Sequence, residues 1–309
     1  MRQIQIVYLL RKIPFQISYN KQLRNKINIL LELTKIRITS FVTVTTAFGY
    51  ICASGEVNEG LVGPLFGILF LACGSAVINH YQERKTDALM DRTKNRPIPS
   101  GKISSLKALV IAFSLSVLGS VILFFSAGLL AFSLAFLNLI WYNGIYTPLK
   151  KVNPLAIIPG SLVGAIPPAV GWVAGGGNIL DPRILIISFF FLMWQIPHFW
   201  LLLLVFGKDY AQAGFPTLTK IFTHEQLTRI TFMWIMATVV TCLIIPLFGV
   251  IEFPVINFML LAAGIWLVWN AVKLLRKTAN VLSFRFAFRE INVFALVIIV
   301  LLSIDKLII

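Results

Sequence analysis

The chain is a succession of long apolar runs separated by polar connections. The runs lie near residues 38–54, 61–81, 106–125, 128–147, 154–174, 184–206, 229–250, 254–274 and 290–309. A bilayer core about 30 Å thick takes about 20 apolar residues in a helix, so the pattern predicts nine membrane-spanning helices. Two connections stand out: those after the second and sixth runs, about 82–105 and 207–228, are long and polar. Long connections in compact folds tend to carry function. Basic residues give an independent check on the count, because they collect in alternate connections on the cytoplasmic side. The stretch to residue 37 and the connections after runs two, four, six and eight hold 25 of the 27 Lys and Arg, and the other face keeps Arg183 and Lys306. The expected topology has the N-terminus cytoplasmic and the C-terminus outside.

Composition narrows the class. Of 309 residues, 58% are hydrophobic and 13% charged, with a mean hydropathy of +0.86, which excludes an ordinary soluble globule. The net charge of +15 fits nucleic acid, a membrane surface or an anionic substrate; hydropathy decides for the lipid bilayer and against nucleic acid. Cys52, Cys73 and Cys242 each sit inside an apolar run with no metal or haem-attachment spacing, so packing is their expected role. Residues 1–35 read as a basic cytoplasmic arm. The apolar stretch Ile4 to Leu10 is too short for a secretory signal and precedes the positive charges. Residues 36–309 read as a single transmembrane domain.

The second run passes into Asn79, Glu83, Asp87 and Asp91, which recur every four residues. In a persisting helix they line one face, successive members about 6 Å apart along the axis. Three stacked acids suit a hard divalent cation such as Mg²⁺, held by carboxylates and substrate phosphates. The cations Arg92, Lys94 and Arg96 follow in a proline-stiffened turn, and acids beside an anion-binding cluster describe a metal-bridged diphosphate. The same spacing equally suits a solvated interfacial helix balanced by its own ion pairs.

A second polar constellation lies in the sixth run, Met193-Trp194-Gln195-Ile196-Pro197-His198-Phe199-Trp200, followed by Lys208 and Asp209. By the charge count, Asp209 leaves the bilayer on the same face as Glu83 and Asp87. Gln195 and His198 lie deeper, where polar side chains face a cavity or a partner. Pro197 frees a carbonyl, which fits a cavity wall. Tyr146 and Lys150 close the fourth run, and the fifth holds Gly160, Gly164, Pro159, Pro167 and Pro168. The glycines suit close helix approach, with packing alone as the other explanation.

At these residues the sequence resembles the UbiA superfamily of intramembrane prenyltransferases, over nearly the whole chain from about residue 30. Asn79, Glu83 and Asp87 stand in register with the superfamily's motif Asn-Asp-x-x-Asp-x-x-x-Asp, with His80 in place of the first Asp. That replacement, and the RTKNRPIPSG that starts at Arg92, are marks of its haem-modifying branch. Tyr146 and Lys150 match the Tyr-x-x-x-Lys element. In place of a second Asp-x-x-x-Asp, the chain has WQIPHF and KDYAQAGFP, with Asp209 as the one clear acid.

The resemblance implies an all-α, nine-helix horseshoe around a central cavity. It implies transfer of a farnesyl group from farnesyl diphosphate to the 2-vinyl group of haem b, with Mg²⁺ as cofactor. Asn79, Glu83, Asp87 and Asp209 would bind metal; Arg92, Lys94, Arg96, Lys150 and Lys208 would bind the diphosphate. Tyr146 would stabilise the allylic cation. His198, His80, Gln195 and Trp194 would contact haem. It further implies haem A synthase or oxidase assembly factors as partners, and a bacterial plasma membrane, with the mitochondrial inner membrane second. A 4-hydroxybenzoate-type polyprenyltransferase is the alternative, against which His80 and WQIPHF argue. A transporter would place its ionisable groups near the midplane, whereas here they collect at one interface.

Overall fold

The computed structural model describes residues 22–275 and 281–308. The basic positions Arg2, Arg11, Lys12, Lys21, Arg276 and Lys277 lie outside the described residues. Residues 22–33 form an arm helix, mostly exposed, that is anchored at its end by the buried Leu33. Eight helical stretches are long and apolar enough to cross a membrane. One of them, Ser105–Leu149, breaks at Gly128, whose φ of 80° and ψ of 176° no helix can accommodate.

That break is a reversal of direction. Before it, Ser126 faces Gly63, Leu123 faces Gly67 and Ser116 faces Gly74. After it, Asn143 returns to bond Ser75 and Gln82. Counted on both sides of Gly128, the described residues contain nine spans, in agreement with the sequence pattern. They are α1 (Ile36–Ser54), α2 (Val62–Asp87), α3 (105–127), α4 (129–140), α5 (Leu162–Ala174), α6 (Pro182–Gln212), α7 (His224–Ile244), α8 (Pro254–Ala271) and α9 (Val281–Leu307). After α4 the chain continues through a wide π turn, Trp141–Tyr146, and one helical turn, Thr147–Leu149.

Several helices run past the apolar runs that predicted them. Helix α6 continues to Gln212 and α9 begins at Val281, so Lys208, Asp209, Arg285 and Arg289 lie on helices and not in connections. Hydropathy marks the lipid-covered length; in water the backbone helix persists without apolar residues. The outward surface is apolar, with Phe113, Phe125, Phe258 and Trp269 among the large exposed side chains, as lipid contact requires.

With the end that bears Glu83 and Asp87 called inner and the opposite end outer, the outer half of the bundle is closed by glycine. A Cβ on Gly49 would lie 1.9 Å from the Pro168 carbonyl oxygen, and one on Gly171 would lie 1.8 Å from that of Thr46. Helices α1 and α5 therefore touch backbone to backbone there, as small residues allow. Toward the inner end they leave a cavity of about 790 Å³. Its wall is built by α1, α2, α4, α5, α6 and α9, while α3, α7 and α8 contribute nothing to it among the described residues and buttress it from outside.

Candidate active site

The inner lip of the cavity gathers charge from four parts of the chain. The side chains of Asn79, Glu83 and Asp87 lie on one face of α2, all buried and all in the cavity wall. Each already meets a cation. Lys35 Nζ donates to Asn79 Oδ1 at 2.5 Å, Lys150 pairs with Glu83, and one nitrogen of Arg96 donates to both Asp87 oxygens at 2.9 and 2.8 Å. Asn79 also donates to Thr147 Oγ1 at 3.1 Å, which ties the acidic face to the end of the fourth span. Arg92 lines the same wall, its guanidinium 5.0 Å from the centre of the Phe206 ring.

Buried ion pairs are weak stabilisers, because desolvation offsets most of the attraction. A cluster of them around a cavity is better explained by what it binds. The two lysines differ in tuning. Burial pulls the Lys35 ammonium down to about 7, with Arg96 acting the same way. At Lys150 burial is again the largest single effect and acts downward, but the Glu83 carboxylate together with Tyr146, Tyr142 and Tyr210 outweighs it and leaves the group well above its ordinary value.

The geometry of this lip rests on local backbone features. Lys35 is the only non-glycine among the described residues with positive φ, at 51°. The left-handed region costs a side-chain-bearing residue roughly 1–2 kcal/mol, and the bond to Asn79 holds Lys35 there. The π turn sets Tyr142 and Tyr146 ring over ring at 5.9 Å, and both line the cavity. Lys150 Nζ lies 5.3 Å from the Tyr146 ring centre. Gly160 makes room for that ring, since its Cβ would sit 2.4 Å from Tyr146 Cδ2. Gly164 likewise admits Gln195, whose Oε1 would be 1.6 Å from an added Cβ. The fifth-span glycines thus serve site side chains from the π turn and α6.

Deeper in the wall, α6 presents Trp194, Gln195 and His198. Trp194 donates its indole N–H to the Ile291 carbonyl at 3.0 Å and packs 4.9 Å from the His198 ring centre. Gln195 Oε1 is buried with no hydrogen-bond partner, a polar atom left for something in the cavity.

Four sequence-predicted site residues fall elsewhere. His80 is fully buried with both ring nitrogens unpartnered and lies outside the cavity wall; the helical spacing that aims Asn79 and Glu83 inward turns it away. Lys94 is exposed and pairs with Asp91 at 2.6 Å, off the wall. Lys208 and Asp209 are on the last turns of α6, and Tyr210, not they, faces the cavity. Their end of α6 packs near Met90 through Tyr210, Ala213 and Phe215, so Asp209 shares the inner face with Asp87 without joining its cluster. Among the described residues no three His, Cys, Asp or Glu side chains could hold an ion by themselves. The donor set that does line the wall, Glu83, Asp87 and Asn79, is all oxygen and fits a hard divalent ion completed by phosphate oxygens.

Sequence reasoning passed over Lys35, Tyr142, Asn143 and Asn292. Lys35 was one cation in a basic arm, with nothing to distinguish it. Asn143 is buried and knits the fourth span to α2 through Ser75 and Gln82; a lone Asn inside an apolar run was the available signal.

Comparison with known proteins places this geometry in context. Residues 42–295 match the model of the UbiA prenyltransferase family. A protoheme IX farnesyltransferase of Oleidesulfovibrio alaskensis is 32% identical over 280 residues, 90% of this chain and 96% of that protein. One of Marinobacter nauticus is 35% identical over 251 residues, 80% of this chain and 82% of that one. Among solved structures, a digeranylgeranylglyceryl phosphate synthase superposes with a TM-score of 0.74 at 17% identity, covering 92% of this chain and 99% of its own. A UbiA homolog from Archaeoglobus fulgidus bound to GPP and Mg²⁺ gives 0.68 at 15% identity, covering 91% and 100%.

Proposed function

The chain belongs to the UbiA prenyltransferase family, and from that premise we propose how its cavity joins a farnesyl group to protohaem. The protein is an integral membrane prenyltransferase whose reaction makes haem O. The observation that carries the reading is the division of one cavity into a charged lip and an apolar, aromatic interior.

At the lip, Lys150, Arg92 and Arg96 take the diphosphate of farnesyl diphosphate, Arg being the better bidentate partner for its oxygens. Lys35 adds a fourth cation from the arm side. Glu83, Asp87 and Asn79 would hold Mg²⁺, which when bound supplies positive charge to the leaving oxygens. Ionisation breaks the C1–O bond of the farnesyl chain, and the electron pair leaves with diphosphate. Fixed cations in a water-poor site stabilise that developing charge more strongly than water can. The Tyr146 ring faces the allylic cation and stabilises it through its π face. The haem 2-vinyl double bond then attacks C1, and the cation formed at the former vinyl carbon takes up water and releases a proton. The product carries a hydroxyethylfarnesyl group.

The haem acceptor rests on the wall of Trp194, Gln195 and His198, where a macrocycle finds apolar area and a few convergent polar groups. With the lip at the cytoplasmic face of a bacterial plasma membrane, the N-terminus is cytoplasmic and the C-terminus outside. Haem A synthase or an oxidase assembly factor would receive so apolar a product.

Purified protein in lipid, given farnesyl diphosphate, Mg²⁺ and either haem b or 4-hydroxybenzoate, tests the acceptor. Mass spectrometry is expected to find a farnesylated haem and no prenylated benzoate. Prenylated benzoate without farnesylated haem would transfer the protein to quinone chemistry.

A further inference from the structure

One wall of the cavity contains a hydrogen-bond relay that the reaction as derived does not use. His198 sits on α6 beside Pro197, its ring centre 4.9 Å from that of Trp194, 5.5 Å from Phe199 and 4.7 Å from Phe288. Its Nδ1 lies 2.9 Å from Oδ1 of Asn292 on α9. The same amide donates through Nδ2 to the Phe288 carbonyl, one turn earlier, at 2.5 Å. That second bond fixes which end of Asn292 faces the imidazole. Turned over, the amide would press its oxygen against the Phe288 oxygen, and two acceptors at that distance repel.

With an acceptor oxygen opposite it, Nδ1 must carry the hydrogen. A neutral imidazole protonated at Nδ1 has its lone pair on Nε2. Both His198 and Asn292 line the cavity, and Nε2 makes no hydrogen bond among the described residues. The nitrogen that the relay leaves unprotonated is therefore the one without a protein partner. A metal-ligating histidine characteristically donates its other N–H to an oxygen acceptor, which fixes the ring and raises the basicity of the ligating nitrogen.

We propose that Asn292 is a positioning residue that holds His198 in the Nδ1–H tautomer, so that Nε2 ligates the iron of the haem acceptor. This rests on the haem reading above and adds the ligating atom and the residue that presents it. The ring pair with Phe288 makes α6 and α9 the two jaws of the macrocycle pocket, and ligation at Nε2 would fix how far in the porphyrin can slide relative to the charged lip.

The test is titration of the full-length protein in lipid nanodiscs with ferric haem b, followed by Soret absorption and magnetic circular dichroism. Farnesyl diphosphate affinity, measured on the same samples, reports that each variant is folded. Wild type is expected to show a histidine-ligated haem. His198→Ala should lose that signature and regain it with added imidazole. Asn292→Leu should bind haem about 10–100-fold more weakly, the usual penalty for losing such an outer partner, with a diminished ligand signature. Asn292→Asp keeps an acceptor for Nδ1–H and should retain the signature. Haem uptake with an unchanged spectrum in His198→Ala, or unchanged affinity and spectrum in Asn292→Leu, would overturn this assignment alone. No haem uptake by the wild type would overturn the acceptor reading and this assignment with it.

Discussion

At the outer end of the bundle the Asp305 carboxylate is fully buried, and its two oxygens accept the backbone N–H groups of Glu252 and Phe253, each at 2.9 Å. Beside it Lys306 pairs with Glu252 at 2.7 Å. At the inner end Glu83 and Asp87 are as deeply buried, but their partners are Lys150 and Arg96, side chains that arrive from other connections and share a cavity wall with them. The outer carboxylate is satisfied by the backbone that leads into α8, and it fixes a loop to a helix end. The inner carboxylates are satisfied by cations that a phosphate could recruit. Burial of charge alone does not mark a candidate site; burial against cationic side chains in a cavity wall does.

The contrast can be broken at either end. The largest effect is expected for Glu83→Gln and Asp87→Asn, which keep shape and remove charge. Each should lower farnesylated haem formation by about 10²–10³-fold, the range for losing one preorganised electrostatic group, as measured by product mass spectrometry at matched amounts of folded protein. Asp305→Ala should do the reverse. It should cost about 2 kcal/mol of stability, as expected when charged hydrogen bonds to buried backbone donors are lost, and leave turnover per folded molecule within about twofold; thermal denaturation and initial rates check the two halves. Arg92 and Lys94 sharpen the comparison within a single turn. Arg92→Met, which orphans no acid, should lower kcat/KM for farnesyl diphosphate about tenfold, or about 1.4 kcal/mol. Lys94→Met, at an exposed position off the wall, should leave steady-state kinetics and melting temperature unchanged.

The membrane path was legible because lipid imposes a length and a composition on each span, and because charge sorting across the bilayer supplies a second, independent count. Even the break at Gly128, a single residue in a long apolar stretch, coincides with the predicted start of the fourth span. The acidic face of α2 was legible for a similar reason: helical spacing places Asn79, Glu83 and Asp87 together whatever the fold. What the sequence hid depends on distant chain segments meeting. Lys35 looks like any anchor until the start of α1 is set against Asn79. Asp209 leaves the bilayer on the right face, yet the extension of α6 as a helix aims Tyr210 at the cavity in its stead. Gly160 and Gly164 read as a helix-packing stripe, and only the fold shows that the ring of Tyr146 and the amide of Gln195 fill the space they leave.

One chamber holding both reactants is the core of the account, and ³¹P relaxation measures it directly. Wild-type protein is loaded with the unreactive farnesyl thiodiphosphate and then with either ferric haem b or diamagnetic zinc protoporphyrin. If the diphosphate sits at the Glu83–Asp87 lip and the macrocycle against His198 below it, the phosphorus nuclei relax markedly faster with the iron porphyrin than with the zinc one. Equal relaxation with both, while both ligands are shown to be bound, would contradict a shared cavity.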